Sequence, residues 1–378
     1  MTNLLKIAMV LDDSIDRPDG VQQYVLSLGA YLEAQGHEVH FVCSEAERTD
    51  VTVHSLARNM AVNFNGNGLR IPLPTSRKML REFLARERYD VIHVQTPHSP
   101  FFAARVVDEA RHVQGAGVRI VGTFLILPSG RVSATSTRAL GLWLRSNLKK
   151  FDAFCALTPP AADFARKAFG IECSVIPSGV DVAAFADAVS RLRPQRSPGD
   201  VLTMSFLGRL VERKGVLELI RALAALPPDV LARLRVRIGG KGPLTASLER
   251  AIAAGGLSQT VTLEGFVSEA DKPQFYADAD IAVFPATGGE SFGIVLIEAM
   301  ASGAGMVLGG NNPGYSAVLG DRPEVTVDAG STATFAAALT RLVEDADLRA
   351  TIQAEQAELI KQFDIAVVGE QVLELYGA

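Results

Sequence analysis

The sequence predicts an α/β protein that contains two Rossmann-like domains, each built on a doubly wound parallel sheet. Short apolar strands alternate with amphipathic helices, and the alternation begins a second time after a proline- and arginine-rich stretch at Arg193–Gly199. A length of 378 residues is also typical of two domains. We therefore expect a first domain over residues 1–178 and a second domain from residue 179, joined by a hinge at Pro177–Asp181.

Composition and charge narrow the class of function. Lysine and arginine number 37 against 42 acidic residues, so the net charge of −5 gives no general attraction to nucleic acid. The three cysteines, Cys43, Cys155 and Cys173, have no metal-ligand spacing and are typical of reduced thiols. The first residues read as a strand rather than a signal peptide, and no apolar run is long enough to span a bilayer. We expect a cytoplasmic protein whose membrane contact, if it has one, is peripheral.

The first domain opens with a strand, a loop, a helix and a second strand. The strand Ile7–Leu11 is followed by a helix over Val21–Ala34 and by the strand Val39–Cys43. Gly20, at the entrance to the helix, is either part of an ordinary turn or a position where the backbone approaches a ligand phosphate. The later elements predicted for this domain are strands at 91–94, 118–124, 154–157 and 174–176, and helices at 100–111, 139–149 and 159–168.

A flexible polar loop at Phe64–Gly68 is followed by Arg70 and by an amphipathic helix over residues 75–89. The cations of this helix outnumber its carboxylates, and they are Arg77, Lys78, Arg81, Arg86 and Arg88. The helix is interpreted either as the solvated outer face of the domain or as a surface that adheres to anionic lipid.

In the second domain, three loops leave the carboxyl ends of predicted strands, where parallel sheets bind their ligands. Arg209 and Lys214 of the loop Gly208–Gly215 are placed to clamp a diphosphate, unless they are ordinary loop cations. The residues that the other two loops offer to a phosphate and to a base are Gly240, Phe266 and Val267.

The segment Gly288–Gly303 has the most specific pattern in the chain. It follows an apolar strand at Ile281–Pro285 and is predicted to form a helix over Ser291–Ser302. The helix is apolar on nearly all sides, yet it contains Glu298, and a buried carboxylate needs a strong partner. With Glu290 just before the helix, the segment offers free N–H groups to a phosphate and two carboxylates to sugar hydroxyls. The alternative is a buried helix whose glutamate pairs with a core arginine.

Two patterns that look like metal sites are interpreted otherwise. Asp278 and Asp280 lie where a helix ends and a strand begins, which favours a capping role. His93 and His98 lie near the end of a strand, but no third ligand has a spacing that suits zinc. We therefore expect neither a metal site nor a bound cofactor.

These features together resemble one known family. The Glu290-x7-Glu298 pair, the Gly208–Gly215 loop and the Pro177–Asp181 segment resemble glycosyltransferase family 4, whose members are retaining enzymes of the GT-B fold. Within that family the chain is similar to the bacterial phosphatidyl-myo-inositol mannosyltransferases, which use GDP-mannose. The resemblance covers nearly the whole chain. It implies two domains that face a cleft, with the second over residues 179–362 and a C-terminal helix, at about 363–378, that crosses back to the first.

The resemblance also implies a reaction and a set of residue roles. A hexose, most simply mannose from GDP-mannose, would pass to a lipid-linked polyol such as phosphatidyl-myo-inositol without a metal ion. Arg209 and Lys214 would neutralise the donor diphosphate, and Glu290 would stabilise positive charge that develops at the sugar ring. Glu298 would hold the ribose hydroxyls. The other donor contacts implied are Gly20, Gly240, Phe266, Val267, Ser291, Phe292, Gly293 and Ile294, and the acceptor contacts are Asn65 and Arg70.

One position departs from the family pattern. Members usually carry a histidine after the strand that here ends at Phe124, and this chain has Leu125. Because leucine cannot hydrogen-bond a sugar hydroxyl, one alternative function is a nucleotide-sugar-binding protein with weak catalysis. A second is a UDP-sugar-dependent glycosyltransferase that acts on another lipid or saccharide. A nicotinamide oxidoreductase is disfavoured because Gly-x-Gly-x-x-Gly does not follow the first strand.

Overall fold

The structure is a computed structural model that describes residues 4–16, 19–64, 67–125, 144, 146–191, 193–195, 197 and 199–378, with only the backbone over 61–71. The chain forms two compact units. The first unit contains Met1–Gly179 and Ile365–Ala378, and the second unit contains Val180–Asp364. These boundaries lie within two residues of the predicted ones.

The first unit is built on a parallel sheet. The strands of the unit in chain order are β1 (Lys6–Val10), β2 (Glu38–Cys43), β3 (Val53–Ser55), β4 (Asn59–Phe64), β5 (Asn67–Pro72), β6 (Val91–Gln95), β7 (Arg119–Phe124), β8 (Ala153–Ala156) and β9 (Ser174–Val175). Of these, β4 and β5 form a separate two-stranded sheet. The order within the parallel sheet is β3-β2-β1-β6-β7-β8-β9. The strand order reverses between β1 and β6, which is the usual ligand crevice in a doubly wound sheet.

The second unit repeats this plan with fewer strands. These strands are β10 (Leu202–Leu207), β11 (Leu234–Gly239), β12 (Val261–Gly265), β13 (Ile281–Phe284), β14 (Val307–Gly310) and β15 (Thr326–Val327). All are parallel, in the order β12-β11-β10-β13-β14-β15. The order reverses between β10 and β13. The prediction of two Rossmann-like units is confirmed.

Helices cover both sheets. They are α1 (Gly20–Ala34), α2 (Arg77–Glu87), α3 (Phe102–Gln114), α4 (Pro159–Phe169), α5 (Val182–Asp187), α6 (Val216–Ala224), α7 (Pro228–Leu231), α8 (Thr245–Ala254), α9 (Lys272–Ala277), α10 (Ile294–Ala301), α11 (Pro313–Leu319), α12 (Thr332–Glu344), α13 (Ala346–Leu359) and α14 (Ile365–Tyr376). Short 3-10 turns lie at Gly115–Gly117, Glu212–Lys214 and Ile360–Phe363. The helix predicted at 139–149 falls largely outside the described residues.

The last helix, α14, packs within the first unit. The Tyr31 hydroxyl donates to Glu370 at 2.9 Å, and α14 approaches so closely that a Cβ at Gly369 would lie 2.1 Å from the Tyr31 ring. At the end of α14, the Tyr376 hydroxyl lies 2.7 Å from Nδ1 of His93 in β6. Complete burial lowers the pKa of His93 to about 3, so its imidazole is neutral at physiological pH. This interior contact fastens the chain's C-terminus to the first sheet.

One segment of the first unit differs from the prediction. The sequence around Phe64–Gly68 predicts only a flexible loop, but β4 and β5 form an antiparallel two-stranded sheet in which Asn59 pairs with Pro72 and Phe64 with Asn67. The ladder satisfies backbone N–H and C=O groups that an irregular loop would leave to water. An Asn-Gly pair between two short runs is a signal for such a hairpin in the sequence.

Candidate active site

Two loops meet where the strand order of the second sheet reverses. The loop after β10 contains Arg213, and its carbonyl oxygen accepts a hydrogen bond at 3.0 Å from the backbone N–H of Thr287 in the loop after β13. Gly215 has φ +70°, and a Cβ there would lie 1.9 Å from the carbonyl oxygen of Pro285. Only glycine permits this close approach. The loops that carry the predicted cations and the predicted carboxylate are therefore joined by their backbones.

A carboxylate held by two cations lies at this junction. Glu290 accepts from Arg213 Nη1, and its Oε1 also lies 2.9 Å from Lys214 Nζ. The side chains of Glu290 and Lys214 are 10% and 15% exposed, whereas that of Arg213 is 37% exposed. The structure thus brings Lys214 and Glu290 together as the sequence suggests, and it adds Arg213, which sequence reasoning missed.

The position of these cations follows from the local backbone. A 3-10 turn at Glu212–Lys214 ends at Gly215 in the left-handed region and directs consecutive side chains toward Glu290. Burial lowers the pKa of Lys214, and Glu290 raises it, while the charges of Arg213 and Arg209 lower it further. Arg209 is exposed, and its charge acts on the same cluster as the charges of Arg213 and Lys214. Three cations therefore contribute positive charge around Glu290.

The helix after Glu290 begins later than predicted. Its first residue is Ile294 rather than Ser291, and Gly293 precedes it with φ +102°. A Cβ at Gly293 would lie 2.4 Å from the ring of Tyr315, so the chain can turn into the helix here only at a glycine. Phe292 is buried against Phe363, with ring centroids 5.7 Å apart. The first turn of α10 leaves backbone N–H groups that have no partner within the helix, beside the cation cluster.

Glu298 is engaged inside the second unit. Its carboxylate lies 3.4 Å from Lys272 Nζ and 3.3 Å from the Tyr276 hydroxyl, and both partners lie on α9. The residue is 3% exposed, and burial raises its pKa. The helix is buried and its glutamate has an ion-pair partner, but that partner is Lys272 and not the arginine of the alternative interpretation. Both contacts are long for hydrogen bonds, so the carboxylate retains acceptor capacity.

The loops after β11 and β12 border the same edge of the sheet. Gly240 has φ +129°, and a Cβ there would lie 1.9 Å from the carbonyl oxygen of Gly208. Lys241 Nζ lies 5.8 Å from the ring centroid of Phe266, which is 59% exposed. Val267 packs against Gly239. An exposed aromatic ring at the ligand edge of the sheet offers a stacking surface, and its contact with a base stays a prediction.

The predicted residues of the first unit are only partly placed. Gly20 is the first residue of α1 and is exposed, whereas Leu125, directly after β7, is 5% exposed. Asn65 lies outside the described residues, and Arg70 is described as backbone in β5. Asp12, in the loop after β1, accepts from the backbone N–H of Ala103 in the first turn of α3 at 2.6 Å. The acceptor contacts therefore stay predictions.

Two cations of the basic helix α2 pair within the first unit. Arg77 and Arg81 lie 3.0 and 2.5 Å from the carboxylate of Glu109, which is 1% exposed. The side chain of Lys78 is 86% exposed. The free positive surface of α2 is therefore smaller than the sequence indicates, and its adhesion to lipid stays a prediction.

The two apparent metal patterns have other partners. The carboxylate of Asp278 lies 2.8 Å from Arg191 and 3.1 Å from Arg237, and that of Asp280 accepts from the Thr203 N–H at 2.7 Å. Asp278 is the C-cap residue of α9, and its carboxylate accepts from Gln274 of that helix at 2.8 Å, which agrees with the predicted capping role. Asp280 instead binds the backbone of β10. His98 stacks on Phe124 with centroids 5.5 Å apart.

Comparison with known proteins gives the class of this fold and site. Anabaena HepE in complex with UDP has a TM-score of 0.78 at 20% identity, covering 99% of this chain and 100% of that one. A glycosyltransferase from Rickettsia africae has a TM-score of 0.75 at 18% identity, covering 99% and 98%. At these identities the likeness concerns the fold, which is the GT-B fold of glycosyltransferases.

The family follows from the sequence comparisons. The model of Glycosyltransferase Family 4 matches residues 18–184, and that of Glycosyl transferases group 1 matches residues 190–358. The chain is 32% identical to a phosphatidyl-myo-inositol mannosyltransferase of Mycolicibacterium smegmatis, covering 98% of this chain and 93% of that protein. It is 31% identical to the Mycobacterium leprae protein of the same name, covering 98% and 96%. The chain belongs to glycosyltransferase family 4 and is a hexosyltransferase, as the sequence predicted.

Within the described part of the chain, no helix combines the length and apolar character that crossing a bilayer requires.

Proposed function

We propose that this enzyme transfers mannose from GDP-mannose, with retention of configuration, to a lipid-linked polyol such as phosphatidyl-myo-inositol. The observation that carries the proposal is the Glu290 carboxylate held by Arg213 and Lys214 at the carboxyl edge of the second sheet. The names of the relatives, which cover nearly the whole chain, support mannose as the transferred sugar and phosphatidyl-myo-inositol as the acceptor.

In the proposed mechanism, the cation cluster receives the donor diphosphate. The diphosphate oxygens take the place of Glu290 as partners of Lys214 and Arg213, and Arg209 adds charge from the same loop. Cations fixed beside the leaving group stabilise the negative charge that grows on it as the glycosidic bond breaks. Three basic side chains can supply this neutralisation, so the proposal includes no metal ion.

Glu290 then acts on the sugar. Once its cations bind phosphate, its carboxylate accepts hydrogen bonds from sugar hydroxyls and stabilises the positive charge that develops at the ring. The acceptor hydroxyl attacks the anomeric carbon from the face that the diphosphate leaves. Its proton passes to a phosphate oxygen, so GDP departs as the new glycosidic bond forms and the configuration is retained.

Two further contacts orient the donor in this proposal. The N–H groups at the start of α10 bind sugar or phosphate oxygens, because a helix N-terminus favours anionic groups. Glu298, whose two present contacts are long, accepts from the ribose hydroxyls with its remaining lone pairs. Phe266 offers its exposed ring to the base.

A transfer assay tests the proposal. Purified enzyme is incubated with GDP-mannose or UDP-glucose and with vesicles that contain phosphatidyl-myo-inositol, and the products are identified by mass spectrometry. We expect GDP release and a mannosylated lipid. Faster transfer from UDP-glucose would replace the proposed donor with a UDP-sugar, and failure to release nucleotide from any donor would refute the proposal.

Contact with the membrane is proposed as peripheral, at the cytoplasmic face. Among the cations of α2 that form ion pairs, Lys78 has the most exposed side chain. Arg77 and Arg81 are engaged with Glu109. Sedimentation with anionic vesicles should weaken in Lys78→Glu. Vesicle binding that is insensitive to this change and to Arg77→Glu would remove α2 from the proposal.

One observation favours a second candidate function. Leu125 is buried at the end of β7, where the family pattern has a histidine. Without an imidazole at this position, the chain would bind a nucleotide-sugar but transfer the sugar slowly. Leu125→His should raise the transfer rate about tenfold or more if this position limits catalysis. An unchanged rate in a folded variant would show that the missing imidazole does not limit it.

A further inference from the structure

We propose that the first unit contains a zinc site formed by His40, His54 and Glu87. These residues lie outside the proposed active site, and 14 and 33 residues separate consecutive members, so their spacing gives no motif. In the fold, one ligand atom from each residue lies within 4.8 Å of the others. This inference does not depend on the proposed transfer reaction.

Sheet register brings the two histidines together. His54 of β3 pairs with Val42 of β2, and His40 lies two residues before Val42. Residues two apart on a strand face the same side, so the two imidazoles are diagonal neighbours. Their ring centroids are 4.9 Å apart. Glu87 approaches from the last turn of α2, which ends there at Arg88 in the left-handed region.

Two of the three distances between ligand atoms bracket the spacing of a tetrahedral site. His40 Nδ1 lies 3.1 Å from His54 Nε2 and 3.9 Å from Glu87 Oε2. Ligand atoms at the Zn–N and Zn–O lengths of about 2.0–2.2 Å are separated by about 3.4 Å in a tetrahedron, which lies between these two values. Two imidazoles and one carboxylate form a ligand set that zinc prefers. His54 and Glu87 are only partly buried, so water can reach the fourth position.

A second carboxylate already orients the first ligand. Glu38 Oε1 lies 3.0 Å from His40 Nε2, so this nitrogen donates to Glu38 and the lone pair of Nδ1 points toward His54 and Glu87. Histidine ligands of metals are commonly held by a carboxylate in this way.

The cluster without an ion is crowded with competing donors. The Tyr89 hydroxyl lies 2.9 Å from His40 Nδ1, and His54 Nε2 lies 3.1 Å from the same atom. If His54 Nε2 carries a proton, the single lone pair of His40 Nδ1 must accept from both Tyr89 and His54. If His54 Nε2 is unprotonated, its lone pair faces the lone pair of His40 Nδ1. A cation between the two nitrogens removes this conflict. Lys6, 3.0 Å from Glu87, is the competitor that the ion must displace.

Zinc binding to the full chain tests the proposal. Tag-free protein is stripped with a chelator and titrated with Zn²⁺ by calorimetry. Mg²⁺, which prefers oxygen ligands, is the control ion. We expect a single Zn²⁺ per chain, no Mg²⁺ binding, and a higher melting temperature with Zn²⁺. Co²⁺ should give the strong visible absorption of a tetrahedral site.

Matched variants locate the ion. His54→Ala should weaken Zn²⁺ binding about 100-fold or more, because loss of a direct ligand exceeds the effect of losing an outer partner. His112→Ala, which removes an exposed histidine of α3, should leave it unchanged. Glu87→Gln provides a second ligand variant, and Lys6→Met should tighten binding several-fold because it removes the competing ammonium. Circular dichroism checks that each variant folds.

The following results would overturn the proposed zinc site. Zinc binding that is absent in the wild type, or equal in His54→Ala and the wild type, would overturn the proposal. Loss of binding in His112→Ala alone would place the ion elsewhere and also overturn it.

Discussion

Replacing Glu290 with glutamine should have opposite effects on stability and on nucleotide binding. The substitution keeps the size of the side chain and removes its negative charge, which leaves Lys214 and Arg213 facing each other across an uncharged amide. Lys214 Nζ and Glu290 Oε1 are 2.9 Å apart. At an effective dielectric constant of about 20, that pair has a gross Coulomb energy of about 6 kcal/mol.

The net effect on folding is smaller because water and the amide oxygen compensate in part. Arg213 is 37% exposed, so its pair with Glu290 contributes at most about 1 kcal/mol. The pair with Lys214, at 15% and 10% exposure, is better shielded. We expect Glu290→Gln to lower the free energy of unfolding by about 1–3 kcal/mol.

The same change should strengthen the binding of GDP. In the wild type, a diphosphate must displace Glu290 from its two cations, and in the variant those cations are free to receive it. We expect the Kd for GDP to fall about tenfold, which corresponds to about 1.4 kcal/mol. The kcat for transfer should nevertheless fall about 100-fold, because the carboxylate that acts on the sugar is gone.

Urea denaturation, calorimetric titration with GDP and the transfer assay measure the three quantities. Glu355→Gln is the matched control, since Glu355 pairs with Arg322 at 2.7 Å where both side chains are nearly half exposed. The control variant should have the same free energy of unfolding, Kd for GDP and transfer rate as the wild type, within error. A variant at Glu290 that binds GDP more weakly than the wild type would refute the reasoning.

Three further predictions concern single residues. Lys214→Met should weaken GDP binding about tenfold or more in a calorimetric titration, whereas Lys361→Met, at an exposed surface pair, should not; equal affinities would contradict the role of the cation cluster. His93 has a pKa lowered to about 3, so its contribution to stability is present above pH 6.5 and is lost as the pH falls, by at most about 1.4 kcal/mol per pH unit. The stability difference between wild type and His93→Gln, from urea denaturation, should therefore shrink from pH 7 to pH 5, and a constant difference would argue against the neutral imidazole. Gly293→Ala should lower the melting temperature and transfer rate together, while Gly288→Ala, with open space around it, should change neither.

Much of the fold could be predicted because both sheets consist of short apolar runs between periodic helices. The strands β1, β10 and β13 appear in the sequence within a residue or two of their observed ends, since buried parallel strands are almost continuously apolar. The β4–β5 hairpin was missed because its strands lack such an apolar run. A polar, glycine-containing segment resembles a loop even when its backbone forms a ladder.

The candidate site was predictable in location but less so in its partners. Glu290 and Lys214 could be placed at one sheet edge because both follow strand ends. That Arg213 contacts Glu290, while Glu298 pairs with Lys272, depends on a 3-10 turn and on the packing of α9 against α10. Long-range contacts of this kind leave no periodic signal in a sequence.

The cluster of His40, His54 and Glu87 shows the same limit more sharply. The two histidines were brought together by the pairing of β2 with β3, and the glutamate by the end of a helix. Metal motifs can be recognised in a sequence when the ligands share one loop or one helix face. Ligands from three separate elements become visible only when the register is known.

The path of the chain between its two units has a practical consequence. Val180 donates its N–H to the Phe363 carbonyl oxygen at 2.9 Å, so the second unit, Val180–Asp364, starts and stops at neighbouring points. On the other side, a Cβ at Gly179 would lie 3.0 Å from the Cα of Ile365. The second unit can therefore be produced as an uninterrupted polypeptide, and the two segments of the first unit can be joined by a linker of a few residues that keeps the final helix in place. Ligand affinity could then be measured on one half while the other is studied by itself.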